Sequence, residues 1–332
     1  MSEKLLGKPL IKVLVYGWYH KGNIGDDLFA EAFRHLFPEF IFTFTDRIDL
    51  HQVKNCDAVF FGGGSFLYGR PIISDEALNL LKTKKIFYIG VGVEPEINPL
   101  HQELMALAQV VAIRSPEELE RVRKINPNTW VIPDLVFALQ DKVELSPKKK
   151  KSILVLPNIL VVPQSSDPYW KHSSWQYFKN QFCQALDVLV EDKYHLNFLP
   201  FGTSHKLDDS WAAAELVAHM DRRSRRFMLE PLPPKIKEIT QLMSQYEVII
   251  TQRFHGIVLA EMVGVPYLSI HHHDKLKNFQ STNGKFLSYY NTSKHEVLAR
   301  FQEAREIKKS DILPIETNIF EDLKQHVISL IK

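Results

Sequence analysis

The stretch TQRFHGIVLAEMVGVPYLSI, Thr251–Ile270, together with the apolar run Val248–Thr251 that leads into it, decides how this chain reads. Val248–Thr251 is strand-like, Phe254–Val263 helix-like, Gly264-Val265-Pro266 a stop, and Tyr267–Ile270 a second strand-like run. A strand, a helix and a strand in such close succession form a βαβ unit, and the crossover makes the two strands parallel. In open parallel sheets ligands bind beyond the C-terminal ends of the strands. The residues that follow each apolar run are therefore the ones to inspect.

The same alternation extends in both directions. Toward the N-terminus, Ile153–Leu156 and His195–Leu199 read as strands, Trp175–Glu191 and Asp209–Met220 as helices. Earlier still, Ile11–Tyr16, Asp57–Phe61, Ile86–Val91 and Val110–Ile113 are strand-like. Asp26 or Asp27 can cap a helix reaching about Phe37. Ser115-Pro116-Glu117-Glu118 reads as an N-cap, a proline at the first helical position and acids in the first turn. At the other end Ile319, Leu323, Val327 and Leu330 share one face of a closing helix over about 316–331. Pro147 and the run Lys148–Lys151 interrupt the pattern, and four lysines in a row rarely lie inside an element. A solvated domain linker is expected there, with binding of an acidic surface as the other use of such a run. The expected fold is α/β, with two Rossmann-like domains facing a cleft: an N-terminal one over 1–147 and a C-terminal one over 152–332.

Composition narrows the function classes. With 45% hydrophobic and 24% charged residues, the chain is ordinary globular material, which argues against disorder, collagen and coiled coil. Lys+Arg 41 against Asp+Glu 39 leaves a net charge of +2, so no overall field favours nucleic acid. Cys56 and Cys183 cannot build a disulfide framework and suit a reducing compartment. The longest uncharged apolar stretch, Ser152–Ser166, is broken by Pro157 and Pro163, whereas a membrane span needs about 20 residues. The N-terminus opens with mixed charge and lacks a small-residue cleavage site, so no signal peptide is expected. Together these point to a cytoplasmic protein.

Several strand ends carry chemistry. After Thr251, alternation would aim Arg253 and His255 together at the ligand and turn Phe254 into the core. Gly256 lets the chain turn, and the new helix adds N–H groups and a positive dipole end. An arginine, an imidazole and a helix N-terminus suit an anion that must also be protonated or deprotonated. An arginine paired with a surface carboxylate and a histidine packed for structure would leave the same trace. Arg114 ends another strand, where it can fork onto a carboxylate or phosphate, or pair with Glu117 or Glu118. Asp134 follows Val131-Ile132-Pro133 and is either functional or a turn former. Lys21–Leu28, with Gly22, Asn23, Gly25, Asp26 and Asp27, and Gly62-Gly63-Gly64-Ser65 line two further strand ends with small or capping residues. Neither is a dinucleotide fingerprint or a P-loop.

Other features carry less. His271-His272-His273 alternate faces and do not easily share one ion, and no zinc spacing is present. Asp274 and Lys275 follow and can face the ligand. Arg222, Arg223, Arg225 and Arg226 form a basic knot that is solvated surface or a contact for anionic lipid or a diphosphate-bearing acceptor. Tyr169, Trp170 and Trp175 are candidates to stack on a sugar, or else core.

GNIGDDL, FFGGGSFL, AIRSPEEL, VIPDLVF, the Thr251–Ile270 block and His273-Asp274-Lys275 occur in an order that resembles the polysaccharide pyruvyl transferase family over nearly the whole chain. The resemblance implies a GT-B-like fold and transfer of the pyruvyl unit of phosphoenolpyruvate to two hydroxyls of a sugar. The acceptor would be a surface glycan or its lipid-linked precursor, which leaves room for peripheral contact with the inner face of a membrane. By the same resemblance Arg253 and Arg114 hold the donor's carboxylate and phosphate, and His255 is the general acid. Asp26, or its neighbour Asp27, handles an acceptor hydroxyl. Asn23, Gly63, Gly64, Ser65, Asp134 and Lys275 complete the implied substrate site, with no cofactor and no metal required. Glu261, read with His255, Gly264 and Pro266, also fits the layout of a GT-B nucleotide-sugar glycosyltransferase, which is the alternative. A non-catalytic glycan-binding protein is a third.

Overall fold

The computed structural model describes residues 11–204, 207–221, 227–229, 235–271, 283–307 and 316–332. Lys275, His272, His273, Asp274 and the arginines at 222, 223, 225 and 226 lie outside them. In chain order the first sheet is built from β1 Ile11–Tyr16, β2 Phe40–Thr45, β3 Ala58–Gly64, β4 Lys85–Val91, β5 Val110–Ile113 and β6 Thr129–Val131. Between them run α1 Ile24–Leu36, α2 Leu50–Lys54, α3 Asp75–Leu81, α4 Pro99–Leu107 and α5 Leu119–Arg123. The second sheet takes β7 Ser152–Leu156, β8 His195–Phe198, β11 Phe227–Leu229, β12 Val248–Thr251, β13 Tyr267–His271 and β14 Gly284–Ser288, while β9 Thr203–Ser204 and β10 Leu207–Asp208 form a small separate ribbon. The later helices are α6 Tyr169–Glu191, α7 Asp209–His219, α8 Ile236–Met243, α9 Phe254–Val263, α10 Lys294–Arg305 and α11 Asn318–Ile331.

Both six-stranded sheets are parallel throughout, in the orders β2-β1-β3-β4-β5-β6 and β11-β8-β7-β12-β13-β14. Parallel strands covered on both faces are buried along their whole length and mostly apolar, as β3, β5, β7 and β12 are. The first sheet buries an aromatic cluster on one face, where Phe60 meets Phe87 at 5.1 Å and Phe37 stacks on Phe40 at 5.3 Å. The second packs Phe178, Phe182, Leu186 and Leu189 of α6 on β7 and β8. No described helix is long and apolar enough to cross a membrane.

The chain divides into two compact units, with boundaries that differ from the linker reading. The first unit holds residues 11–21, 26–139 and 316–332; the second holds 22–25 and, among the described residues, 140–307. The lysine run is part of the second unit, because its backbone is hydrogen-bonded there. Lys149 N–H donates to the Gln245 carbonyl at 2.7 Å, and Lys151 N–H to the Glu247 carboxylate at 2.9 Å. The closing helix α11 belongs to the first unit. It buries Phe320, Leu323, Val327 and Ile331, a face rotated from the one expected, and stacks His326 on Trp130 at 5.2 Å. Lys85 Nζ donates to the Ile331 carbonyl at 2.9 Å.

Candidate functional site

In the second unit, α9 starts at Phe254 with Arg253 as its N-cap residue. The alternation expected of an extended chain therefore stops at Arg253. Successive helical residues turn by about 100°, so His255 is buried while Phe254 is only half-buried. Thr251 Oγ1 accepts the Arg253 N–H at 3.0 Å and closes the turn. A Cβ at Gly256 would stand 2.3 Å from Thr251 Oγ1 and 2.6 Å from Leu156 Cδ1, so only glycine lets the helix start this close to the strands. Gly264 ends the helix in the left-handed region at φ 62°.

Arg253 is paired with a buried carboxylate, though not a surface one. Its Nε donates to Asp209 Oδ2 at 2.9 Å and its Nη2 to Asp209 Oδ1. The Asp209 side chain is fully buried and that of Arg253 11% exposed. Asp209 also accepts the backbone N–H groups of Ile159 at 2.9 Å, Phe201 at 3.1 Å and Gly202 at 2.8 Å. One carboxylate thus joins the loops that follow β7, β8 and β12.

The glycine stretch before Asp26 joins this assembly. Ile24 N–H donates to the Phe201 carbonyl at 3.0 Å, Thr203 N–H to the Gly22 carbonyl at 2.7 Å, and Asn23 bridges to Gly202. Gly25 lies against the His255 ring. Helix α1 starts at Ile24, earlier than expected, and the Asn23 side chain accepts the Gly25 N–H at 3.3 Å in the manner of a cap. Asp26 and Asp27 fall in the first turn instead, where their charge suits the helix dipole.

A second cluster forms within the first unit at the ends of β3, β5 and β6. Arg114 Nη1 pairs with Asp134 Oδ2, and Nη2 donates to Ser65 Oγ at 2.9 Å. With side-chain exposures of 4% and 1%, this is a buried ion pair. Glu118 pairs with Arg121 instead. Ser115 caps nothing; its hydroxyl accepts the Val93 N–H at 3.3 Å, and Pro116–Glu118 is a 3₁₀ turn leading into α5. Asp134 Oδ1 accepts the Val136 N–H at 3.1 Å. Gly63 and Gly64 adopt φ 65° and 92°; a Cβ at Gly63 would strike Phe29, and one at Gly64 would stand 3.2 Å from Asp26 Oδ1. Asp27 Oδ1 accepts the His20 N–H at 2.7 Å, and burial raises its carboxyl pKa.

The model of one family, polysaccharide pyruvyl transferase, matches residues 23–274. The chain belongs to the polysaccharide pyruvyl transferase family. Membership makes it a transferase of polysaccharide biosynthesis with a glycan acceptor. A comparison with curated protein sequences finds no significant match. Among solved structures, a putative UDP-N-acetylglucosamine 2-epimerase from Listeria monocytogenes is similar at TM-score 0.60 and 11% identity, covering 97% of this chain and 96% of its own. The UDP-GlcNAc 2-epimerase of Methanocaldococcus jannaschii is similar at TM-score 0.61 and 7% identity, covering 96% and 99%. At such identities the likeness is one of fold, the GT-B-like combination of two Rossmann-like domains.

For this pyruvyl transferase family member, Arg253, His255, Asn23 and Gly25 meet in the second unit, and Arg114, Ser65, Asp134, Gly64 and Asp26 meet in the first. Asp209 is legible in the sequence only as a helix start; no local signal ties it to Arg253, 44 positions away. Trp175 is buried in the core with Phe178, whereas Tyr169 and Trp170 are exposed at the start of α6.

Proposed function

We propose that the protein transfers the pyruvyl group of phosphoenolpyruvate to two hydroxyls of one sugar of a surface glycan or its lipid-linked precursor, releasing phosphate and leaving a cyclic ketal. The observation that carries this reading is the placement of Arg253 at the N-terminus of α9, forked by Asp209 and two residues before His255. A guanidinium with N–H bonds to spare and a helix N-terminus suit a small dianionic or trianionic donor. An imidazole, with an ordinary pKa near 6.5, exchanges protons near neutrality.

The step balances without a redox partner. His255 gives a proton to the methylene carbon of the enol phosphate, and C2 becomes an oxocarbenium-like centre. One sugar hydroxyl adds to C2, and its proton returns to His255. The C2–O bond to phosphate then breaks, the second hydroxyl adds to C2, and its proton leaves with the phosphate. Arg253 stabilises the charge gathering on the leaving phosphate. Asp26 is assigned to an acceptor hydroxyl in preference to Asp27, whose Oδ1 already holds the His20 N–H. Arg114, buried on Asp134 and Ser65, enters as a positioning residue for that strand end.

The test is incubation with phosphoenolpyruvate and a panel of glycans and lipid-linked oligosaccharides, reading phosphate release and the added pyruvyl mass. His255→Gln should lower kcat about 10²–10⁴-fold, the usual contribution of a general acid. Sugar transfer from nucleotide sugars, with thermal stabilisation by a nucleoside diphosphate and none by phosphoenolpyruvate, would replace this reading with the glycosyltransferase one that Glu261 suggests.

A further inference from the structure

We infer that Asp209 is a positioning residue for the donor, acting through Arg253; the inference rests on the phosphoenolpyruvate reading above. The carboxylate has both oxygens occupied. Oδ1 takes the Ile159 N–H and Arg253 Nη2; Oδ2 takes the Phe201 N–H, the Gly202 N–H and Arg253 Nε. Three of these five donors are main-chain groups on two loops, so the carboxylate cannot rotate without breaking bonds to rigid backbone. An arginine side chain has several soft torsions and would otherwise sample many orientations. Here the Nε–Nη2 edge is locked, and the remaining guanidinium N–H bonds, including both on Nη1, keep one direction.

Asp209 also reaches the imidazole's surroundings. Phe201 and Gly202, which donate to it, belong to the loop that accepts the Ile24 N–H and bridges Asn23. The next residue, Gly25, is the one in contact with the His255 ring. A single buried carboxylate therefore sets the orientation of the arginine and holds the loop that seats the histidine. The cost is charge: Asp209 offsets much of the positive charge of Arg253. The arrangement makes sense where a fixed hydrogen-bonding geometry is worth more than raw attraction, as when a donor must be held for proton delivery to one carbon. A residue needed only to start α7 would not require this fork, because Asp208 already caps that helix through the Ser210 N–H at 2.9 Å.

The test is calorimetric titration of phosphoenolpyruvate into the full chain as wild type, Asp209→Asn, Arg253→Lys and the double variant, with thermal unfolding of each. Asp209→Asn should weaken phosphoenolpyruvate about ten- to a hundredfold, the scale of a lost charge-assisted contact. In the Arg253→Lys background, where no fork can form, the same change should cost less than about threefold, by the coupling expected of residues that act as a pair. Equal losses in both backgrounds, or unchanged affinity in Asp209→Asn, overturn the inference while leaving the donor reading intact. No binding by the wild type overturns the donor reading and this inference together. Should Asp209→Asn fail to fold, Asp209→Glu keeps the charge and shifts the carboxylate by one methylene. It should weaken phosphoenolpyruvate where Arg253 is intact and not in the Arg253→Lys background. Equal affinities of Asp209→Glu and the wild type would sink the proposal.

Discussion

Gly25 lies against the imidazole of His255: a Cβ on residue 25 would stand 1.8 Å from Nδ1 and 2.3 Å from Cγ. Two motifs far apart in the chain are thus in van der Waals contact inside one unit, and the smaller residue defines where the larger one sits. Alanine is a good helix former and Gly25 is the second residue of α1, so Gly25→Ala carries little helical cost of its own. It must, however, displace the ring. The expected result is a fall of about 100-fold or more in transfer rate, the scale of a misplacement by roughly 1 Å. Steady-state kinetics beside a thermal melt check this, and full activity in Gly25→Ala would show that the ring's position is not critical.

Removing one partner of the Arg114–Asp134 pair should be costly. Both side chains are buried, and an unpaired buried charge typically costs about 3–5 kcal/mol. Arg114→Ala should therefore lower the urea midpoint strongly. Arg114→Ala with Asp134→Ala should be less destabilised than the sum of the two single changes. Additive losses would mean that the two residues do not depend on each other.

His101 makes stability fall as acid is added. Its ring is buried among Tyr88, Phe61 and Phe66, its Nδ1 lies 3.0 Å from the Tyr88 hydroxyl, and burial lowers its pKa to about 4. The unfolded chain takes up the proton near 6.5 and the folded one only near 4, so the unfolded state binds more protons between those values. The folded state accordingly loses about 2 kcal/mol on going from pH 7 to pH 5 through this group. Denaturant midpoints measured against pH should show a shallower slope over this interval in His101→Leu than in the wild type. Identical slopes would remove His101 as the cause.

Helix α11 should be indispensable to the first unit despite its place at the far end of the chain. Leu323 is fully buried in it, beside Phe320 and Val327. Leu323→Ala should cost about 2–5 kcal/mol, as buried leucines do. Hydrogen exchange should report the loss in β4 and β6, the strands that α11 contacts through Lys85 and Trp130. Loss confined to the second unit would contradict the assignment of α11.

Much of the fold is legible because its signals are local. Val248–Thr251 and Phe254–Val263 begin and end as the apolar runs and glycines indicate, since a parallel strand buried on both faces is mostly apolar. The edge strand Phe40–Thr45 is not among the expected elements, although FIFTFT alternates β-forming residues as a half-exposed strand does. The run Lys148–Lys151 reads as a linker because charge suggests solvent. Its side chains are exposed, but its main chain pairs with residues near 245, which charge does not encode.

The two parallel α/β sheets, the family, and the strand ends at which Arg253, His255 and Arg114 stand are readable from the chain alone, because periodicity, glycines and motif order are properties of neighbouring residues. Tertiary structure alone decided which groups those side chains meet: Asp209 for Arg253, Asp134 and Ser65 for Arg114, and Gly25 for His255. It also decided that the last helix belongs with the first sheet. A hydrogen bond or a close contact depends on distance in space, and partners so far apart along the chain leave no local pattern from which that distance can be read.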